Sequence, residues 1–250
     1  MNAFGLVFLC ALALATLIRL WLARRHIGHV LAHRAAVPVE FATQISLEAH
    51  QRAADYTCAK TRLAMATVGA EALLVLALTF GGGLQAIHEL SAAWFADGIA
   101  RGLGLIVAVA LVMTAAELPF GLYRTFRIEE RFGFNKMTPA LFFADLAKSL
   151  LVAALFGIPL AACVLWLMAQ AGAYWWLYAW AVWVAFNLFM LAVYPSWIAP
   201  LFNKFSPMQD AELKQRVERL LDRCGFKVKG LMVMDGSRRS SHGNAYFTGF

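Results

Sequence analysis

The sequence predicts an all-α multi-pass membrane protein with five transmembrane helices, followed by the start of a small α+β domain. Three observations predict it. Apolar residues make up 61% of the 250 and charged residues only 15%, against roughly a quarter charged in soluble domains. Five apolar runs reach the roughly 20 residues that a helix needs to cross a hydrocarbon core. After Tyr194-Pro195 the chain turns charged and periodic, as a domain outside the membrane does.

The five runs are Ala3 to Leu22, Leu63 to Ile87, Ile99 to Phe120, Leu146 to Met168 and Ala173 to Tyr194. Their apolar character is unbroken rather than alternating, which selects helices over a barrel. The first run has no positive charge ahead of it and carries Arg19, Arg24 and Arg25 at its far end. A signal peptide has the reverse polarity, so this span is expected to be a retained anchor. The loop after span one carries Arg24, Arg25, Arg34, Arg52, Lys60 and Arg62, and the loop after span three carries Arg124, Arg127, Arg131 and Lys136. The segments Ala86 to Gly98 and Gln170 to Gly172 carry no Lys or Arg. The positive-inside rule therefore places the basic loops and the tail in the cytoplasm and the N-terminus outside. Trp94, Trp175, Trp176 and Tyr178 fall where interfacial anchors are expected.

The net charge of +7 does not point to nucleic acid, because no basic run with interleaved aromatics stands apart from the spans. Abundant arginine and alanine hint at a bacterial inner membrane. Cys10, Cys58, Cys163 and Cys224 are widely spaced and support neither a disulfide framework nor a metal site.

In the tail, residues 195–250, Ser206-Pro207-Met208-Gln209 reads as an N-cap, a proline at the first helical position and a capping-box acceptor. Leu213, Val217, Leu220, Leu221 and Cys224 then share one helical face, with Gly225 as the stop. Leu231 to Met234 reads as a strand, Asp235-Gly236 as a turn and Gly243 to Phe250 as a second extended piece.

Few residues within the spans carry chemistry. Glu71 and Glu117 are ionisable groups in or near span ends, where charge is costly and functional roles concentrate. Glu71 either pairs with another helix or is a candidate to line a water-filled cavity, and Glu117 is expected to pair with Arg124. His88-Glu89 fails as a zinc motif, since Ala92 stands where a second histidine must emerge from the same helical face. One histidine, His242, makes no metal site.

Three blocks are more specific: Phe126 to Thr138 (FRIEERFGFNKMT) followed by Asp145 and Lys148, Pro200 to Phe205 (PLFNKF), and Ser237 to Gly249 (SRRSSHGNAYFTG). As pattern alone, the first is a juxtamembrane linker and the last a turn entering a strand. Together they resemble the membrane-embedded zinc metallopeptidases of the CAAX prenyl protease 1 type, the Ste24 group of the M48 peptidases. The resemblance implies an enzyme that hydrolyses peptide bonds with zinc-activated water, a lipid-embedded chamber, and peptide or protein substrates. It makes the tail the start of a cytoplasmic protease domain and Asn244, Ala245, Tyr246 and Phe247 the groove that pairs with an extended substrate. It assigns no catalytic or metal-binding residue within this chain. The zinc ligands belong to a His-Glu-x-x-His helix expected beyond Phe250 and to a later glutamate. The chain by itself is accordingly expected to be truncated and inactive. The competing reading is a non-catalytic membrane scaffold or transporter-like fragment with a partner-binding tail. Gly81-Gly82-Gly83 has no counterpart in a second half, which argues against a transporter.

Overall fold

The computed structural model describes residues 2–226, 230–243 and 245–246. The chain divides into two compact units, Met1–Asn135 and Lys136–Phe250.

In the first unit, α1 (Ala3–Ala32) starts at Asn2, whose side chain accepts from the Gly5 N–H at 2.8 Å. It packs against α2 (Leu47–Thr79), which starts at Ser46 with the hydroxyl accepting from Ala49 N at 3.1 Å. Arg34, in the connection, grips Asp55 on α2 with two parallel hydrogen bonds of 2.8 Å, a geometry that only arginine's planar fork provides. Next come α3 (Gly83–Trp94) and α4 (Ile99–Tyr123), the latter widening without a break into a π-helical stretch, Arg124–Glu129.

The second span departs from expectation. It begins at Leu47 and ends at Thr79, and Ala86 to Gly98, expected as a loop, is largely the separate helix α3 packed on α4. The glycine run makes the break. Gly82 takes φ 78°, and a Cβ on Gly81 would sit 2.6 Å from the Ala77 carbonyl oxygen, so apolar side chains continue across a backbone that turns.

The stretch expected as a juxtamembrane linker is also built structure. Ile128 and Phe132 are buried with Ala54 and Cys58 of α2. Tyr56 of α2 sits edge-on to Phe132, ring centroids 5.2 Å apart, and against Phe134 at 4.9 Å. Its hydroxyl donates to Glu129 Oε1 at 2.6 Å, and Arg52 donates to the Phe132 carbonyl at 2.8 Å. Gly133 closes the helix with φ 77°, while Phe134 N returns to the Glu129 carbonyl at 2.8 Å, the left-handed glycine cap of a helix end.

In the second unit, α5 (Pro139–Gln170) starts where the sequence places it. Thr138 accepts from Leu141 N at 3.2 Å and Pro139 takes the first helical position. Then α6 (Trp175–Val193) runs through a π-helical stretch, Tyr194–Ile198, into α7 (Ala199–Phe202). The helix therefore does not stop at Tyr194-Pro195. Pro195 has no N–H to close the regular ladder, and the turn widens around it instead of ending.

A two-stranded antiparallel sheet follows, β1 (Phe205–Pro207) with β2 (Met232–Met234), pairing Phe205 with Met234 and Pro207 with Met232. Between them lies α8 (Ala211–Arg223). Ser206 is thus a strand residue, not the expected helix cap. The N-cap is Asp210, whose carboxylate accepts from Leu213 N at 2.9 Å, and tertiary pairing with β2 outweighs the local capping pattern. The expected stop at Gly225 and the strand within Leu231 to Met234 are both present.

Five helical stretches are long and apolar enough to cross a membrane: Ala3–Ala32, Leu47–Thr79, Ile99–Glu129, Pro139–Gln170 and Gly172–Phe202. Each outruns its apolar core, because hydropathy marks the part that meets lipid and the backbone ladder continues past it. Leu17, Leu73, Leu151 and Trp180 stand exposed along these helices, as side chains facing hydrocarbon do.

Candidate functional site

Two polar constellations stand out, one in each unit. The first is a cleft of about 440 Å³ formed by α1, α2 and α4. Arg19, Lys60, Thr67, Glu71, Glu117 and Arg124 line it. Glu71 meets Arg19 at 3.4 Å across α1 and α2, with 38% and 62% of the two side chains exposed. Glu71 and Glu117 also line one small adjoining pocket from opposite helices, with Thr67 and Met113. Glu117 and Arg124 share the cleft, and no ion pair joins them among the described residues. The cleft is far larger than the roughly 10–15 Å³ that admits one water. A cleft of that size has room for water, and charged groups such as Glu71 and Glu117 within long apolar helices are tolerable beside water and not against lipid.

The second constellation centres on Arg239, a residue the sequence reading passed over. Its guanidinium makes two hydrogen bonds to Asp145, at 2.7 and 3.0 Å, and a third to Asn203 Oδ1 at 2.9 Å. Its carbonyl accepts from Lys136 N at 3.1 Å. Only 19% of the arginine side chain and 15% of the aspartate are exposed. The hydrogen bonds it donates to Asp145 push the Arg239 pKa further up, on a side chain that is charged at all ordinary pH. Asp145 and Lys148 lie one turn apart on α5, where three-residue spacing puts side chains on one face. Lys148 Nζ caps the Leu201 carbonyl of α7 at 3.0 Å.

The turn before Arg239 is held as well. Asp235 accepts from Lys204 N at 2.7 Å and returns its own N–H to the Lys204 carbonyl at 3.1 Å. The Lys204 N–H first, then Arg238 and Arg239, hold the Asp235 carboxyl below the usual carboxylate range despite partial desolvation. Asp145, Asn203-Lys204 and Arg239, drawn from three separate sequence blocks, together with the Asp235 turn that precedes the last of them, therefore form one seat. The available signal was an arginine in one block and an unexplained aspartate in another, and only the fold pairs them.

Of the groove residues, Asn244 and Phe247 lie outside the described residues. Ala245 and Tyr246 are exposed, and the Tyr246 hydroxyl lies 3.8 Å from Met234 Sδ of β2. Gly243, Ala245 and Tyr246 belong to no strand, and the rest of the extended piece expected to Phe250 is outside the described residues. Glu89 pairs along its own helix with Gln85 at 2.8 Å. Among the described residues, no three His, Cys, Asp or Glu side chains come together to hold a metal ion. They do not fit a zinc site.

Five long apolar helices with a small α+β extension define a multi-pass helical membrane protein. A family profile described as "CAAX prenyl protease N-terminal, five membrane helices" matches residues 26–204, and the chain belongs to that family. It is 41% identical over 152 residues to the CAAX prenyl protease 1 homolog of Arabidopsis thaliana, covering 61% of this chain and 36% of the relative. Similarity to the Caenorhabditis elegans homolog is 33% over 226 residues, 88% of this chain and 49% of the relative. The crystal structure of S. mikatae Ste24p matches with a TM-score of 0.90 at 28% identity, covering 100% of this chain and 58% of that one. The chain spans about half or less of the length of these two homologs.

Proposed function

We propose that this chain forms the membrane scaffold and the start of the substrate groove of a zinc metalloendopeptidase, one that hydrolyses peptide bonds of peptide or protein substrates. The observation that carries this reading is the family match over residues 26–204, supported by relatives named as CAAX prenyl proteases. Zinc, when bound, supplies a Lewis acid and an activated water. In this reading the zinc ligands lie on a His-Glu-x-x-His helix and a later glutamate that are not among the residues of this chain, and the chain alone is inactive. The exposed Ala245 and Tyr246 beside β2 support a groove in which Asn244 to Phe247 pair with an extended peptide through main-chain hydrogen bonds. The Arg19–Glu71–Glu117 cleft supports a hydrated space inside the membrane region.

The two basic loops support a cytoplasmic groove and an external N-terminus, and residues 195–250 are then the start of the cytoplasmic protease domain. The arginine- and alanine-rich composition is what favours a bacterial inner membrane, whereas the relatives described above are eukaryotic. The test is zinc content and peptide cleavage of the chain in detergent, beside a version extended through the native downstream sequence. The reading expects about one zinc and cleavage only in the extended version, with Asn244→Ala lowering cleavage and leaving zinc bound. An extended version that does neither overturns it.

A further inference from the structure

Arg239 ties together several distant parts of the second unit. It is bidentate to Asp145 of α5, bonded to Asn203 at the end of α7, and tied through its carbonyl to Lys136. Residues 145 and 239 are far apart in sequence, so the contact closes a long loop. It recruits two long membrane-crossing stretches, since α5 carries Asp145 in its second turn and Asn203 directly follows Phe202, the last residue of the other. Three residues after Arg239 comes His242, whose N–H is held by Ser240 Oγ at 3.2 Å, and beyond it Gly243, Ala245 and Tyr246 are exposed. Between the seat and that segment lie only Ser240, which forms an isolated β-bridge, Ser241 and His242. Arg239 thus ties the chain to α5 and to Asn203 four residues ahead of Gly243, where the stretch assigned to substrate pairing begins.

We propose that Arg239, seated on Asp145 and Asn203, is a positioning residue that sets the register in which the Gly243 to Tyr246 segment meets an extended peptide. The inference rests on the groove reading above. Its physical basis is geometric: strand addition fixes a peptide through main-chain hydrogen bonds, so the scissile carbonyl is only as well placed as the segment to which it pairs. Misplacement by about 1 Å can cost about a hundred-fold in rate. A lysine keeps the charge, yet it cannot satisfy both carboxylate oxygens and Asn203 at once, because its ammonium is a single point on a flexible stem.

The test compares Arg239→Lys with the wild type in the full protein extended beyond Phe250, in detergent. Peptide kinetics are read together with product masses, thermal midpoint and zinc content. The expected result is a kcat/KM lowered at least about ten-fold and cleavage spread over neighbouring bonds, with zinc retained. The paired exchange Asp145→Arg with Arg239→Asp restores a single cleavage position at least in part, and Asn203→Ala gives an intermediate effect. A kcat/KM within two-fold of wild type overturns the proposal. So does a fall that tracks only the folded fraction, with one unchanged cleavage position. If the wild type binds zinc and cleaves no peptide, the groove reading fails, and amide exchange over residues 240–246 then judges the seat separately. Faster exchange in Arg239→Lys keeps the seat as the anchor of that segment, and unchanged exchange removes it.

Discussion

The two charged constellations of this protein contain the same chemistry, an arginine facing a carboxylate, and are built to opposite ends. Arg19 and Glu71 meet at 3.4 Å in an open cleft, with much of both side chains exposed. Arg239 and Asp145 meet at 2.7 and 3.0 Å, with less than a fifth of either exposed. An ion pair in a hydrated space contributes little net stability and leaves its groups available, while a buried bidentate pair fixes the chain and is costly to break. The cleft is therefore the place to look for traffic, and the seat the place to look for architecture.

The largest effect is expected from Asp145→Ala, which strands the Arg239 guanidinium in a mostly buried setting. Breaking a buried pair costs about 3–5 kcal/mol. Residual exposure lowers this to about 2–3 kcal/mol, read as a drop in the denaturation midpoint in detergent. A loss below about 1 kcal/mol, the range of surface pairs, would erase the contrast.

Tyr56→Phe comes next. It removes the 2.6 Å hydrogen bond to Glu129 while keeping the ring between Phe132 and Phe134, and about 1.5–3 kcal/mol is usual for a bond to a charged group. The result sharpens the comparison, because it shows whether the first unit has its own architectural polar contact at the Glu129 end of the π-helical stretch, distinct from its open cleft.

Glu71→Gln is expected to cost no more than about 1 kcal/mol, and adding Arg19→Gln should change little further. Unfolding of the single and double variants at several salt concentrations measures this. A loss above about 2 kcal/mol, well outside the range for exposed pairs, would mean that the cleft is closed and that its pair is structural.

The smallest effect is a pH dependence. Because the folded pKa of Asp235 lies below its unfolded value, its contribution is complete above the unfolded pKa of about 4. It is lost as the pH falls through the lower folded value. Asp235→Asn should flatten stability against pH on that acid limb alone. Identical slopes in the two proteins, measured by unfolding from about pH 5 downward, would show that the Lys204 contact does not hold the turn.

How much of the molecule was legible in advance varied with the range of the interaction concerned. The Thr138-Pro139 start of α5 and the stop at Gly225 are read correctly because a cap involves residues within one turn of one another. Ser206 was misread as a cap for the complementary reason. A Ser-Pro sequence suits a helix start locally, and the strand partner that claims it lies at Met232 to Met234, beyond an intervening helix. Hydropathy located all five spans and misjudged their ends, since it does not register polar turns that continue a helix into water. It also ran the second span across Gly81 to Gly83, where side chains stay apolar while the backbone turns.

The sequence by itself determined the membrane class, the number of spans and the family, because composition, length and motif are properties of the chain read in order. The tertiary structure alone decided that Glu71 lies beside Arg19 and shares a cleft with Glu117, and that Asp145, Asn203 and Arg239 are a single seat. Those pairings join residues tens of positions apart. Charge at one position does not specify which of several opposite charges it will meet until helix packing has fixed both backbones.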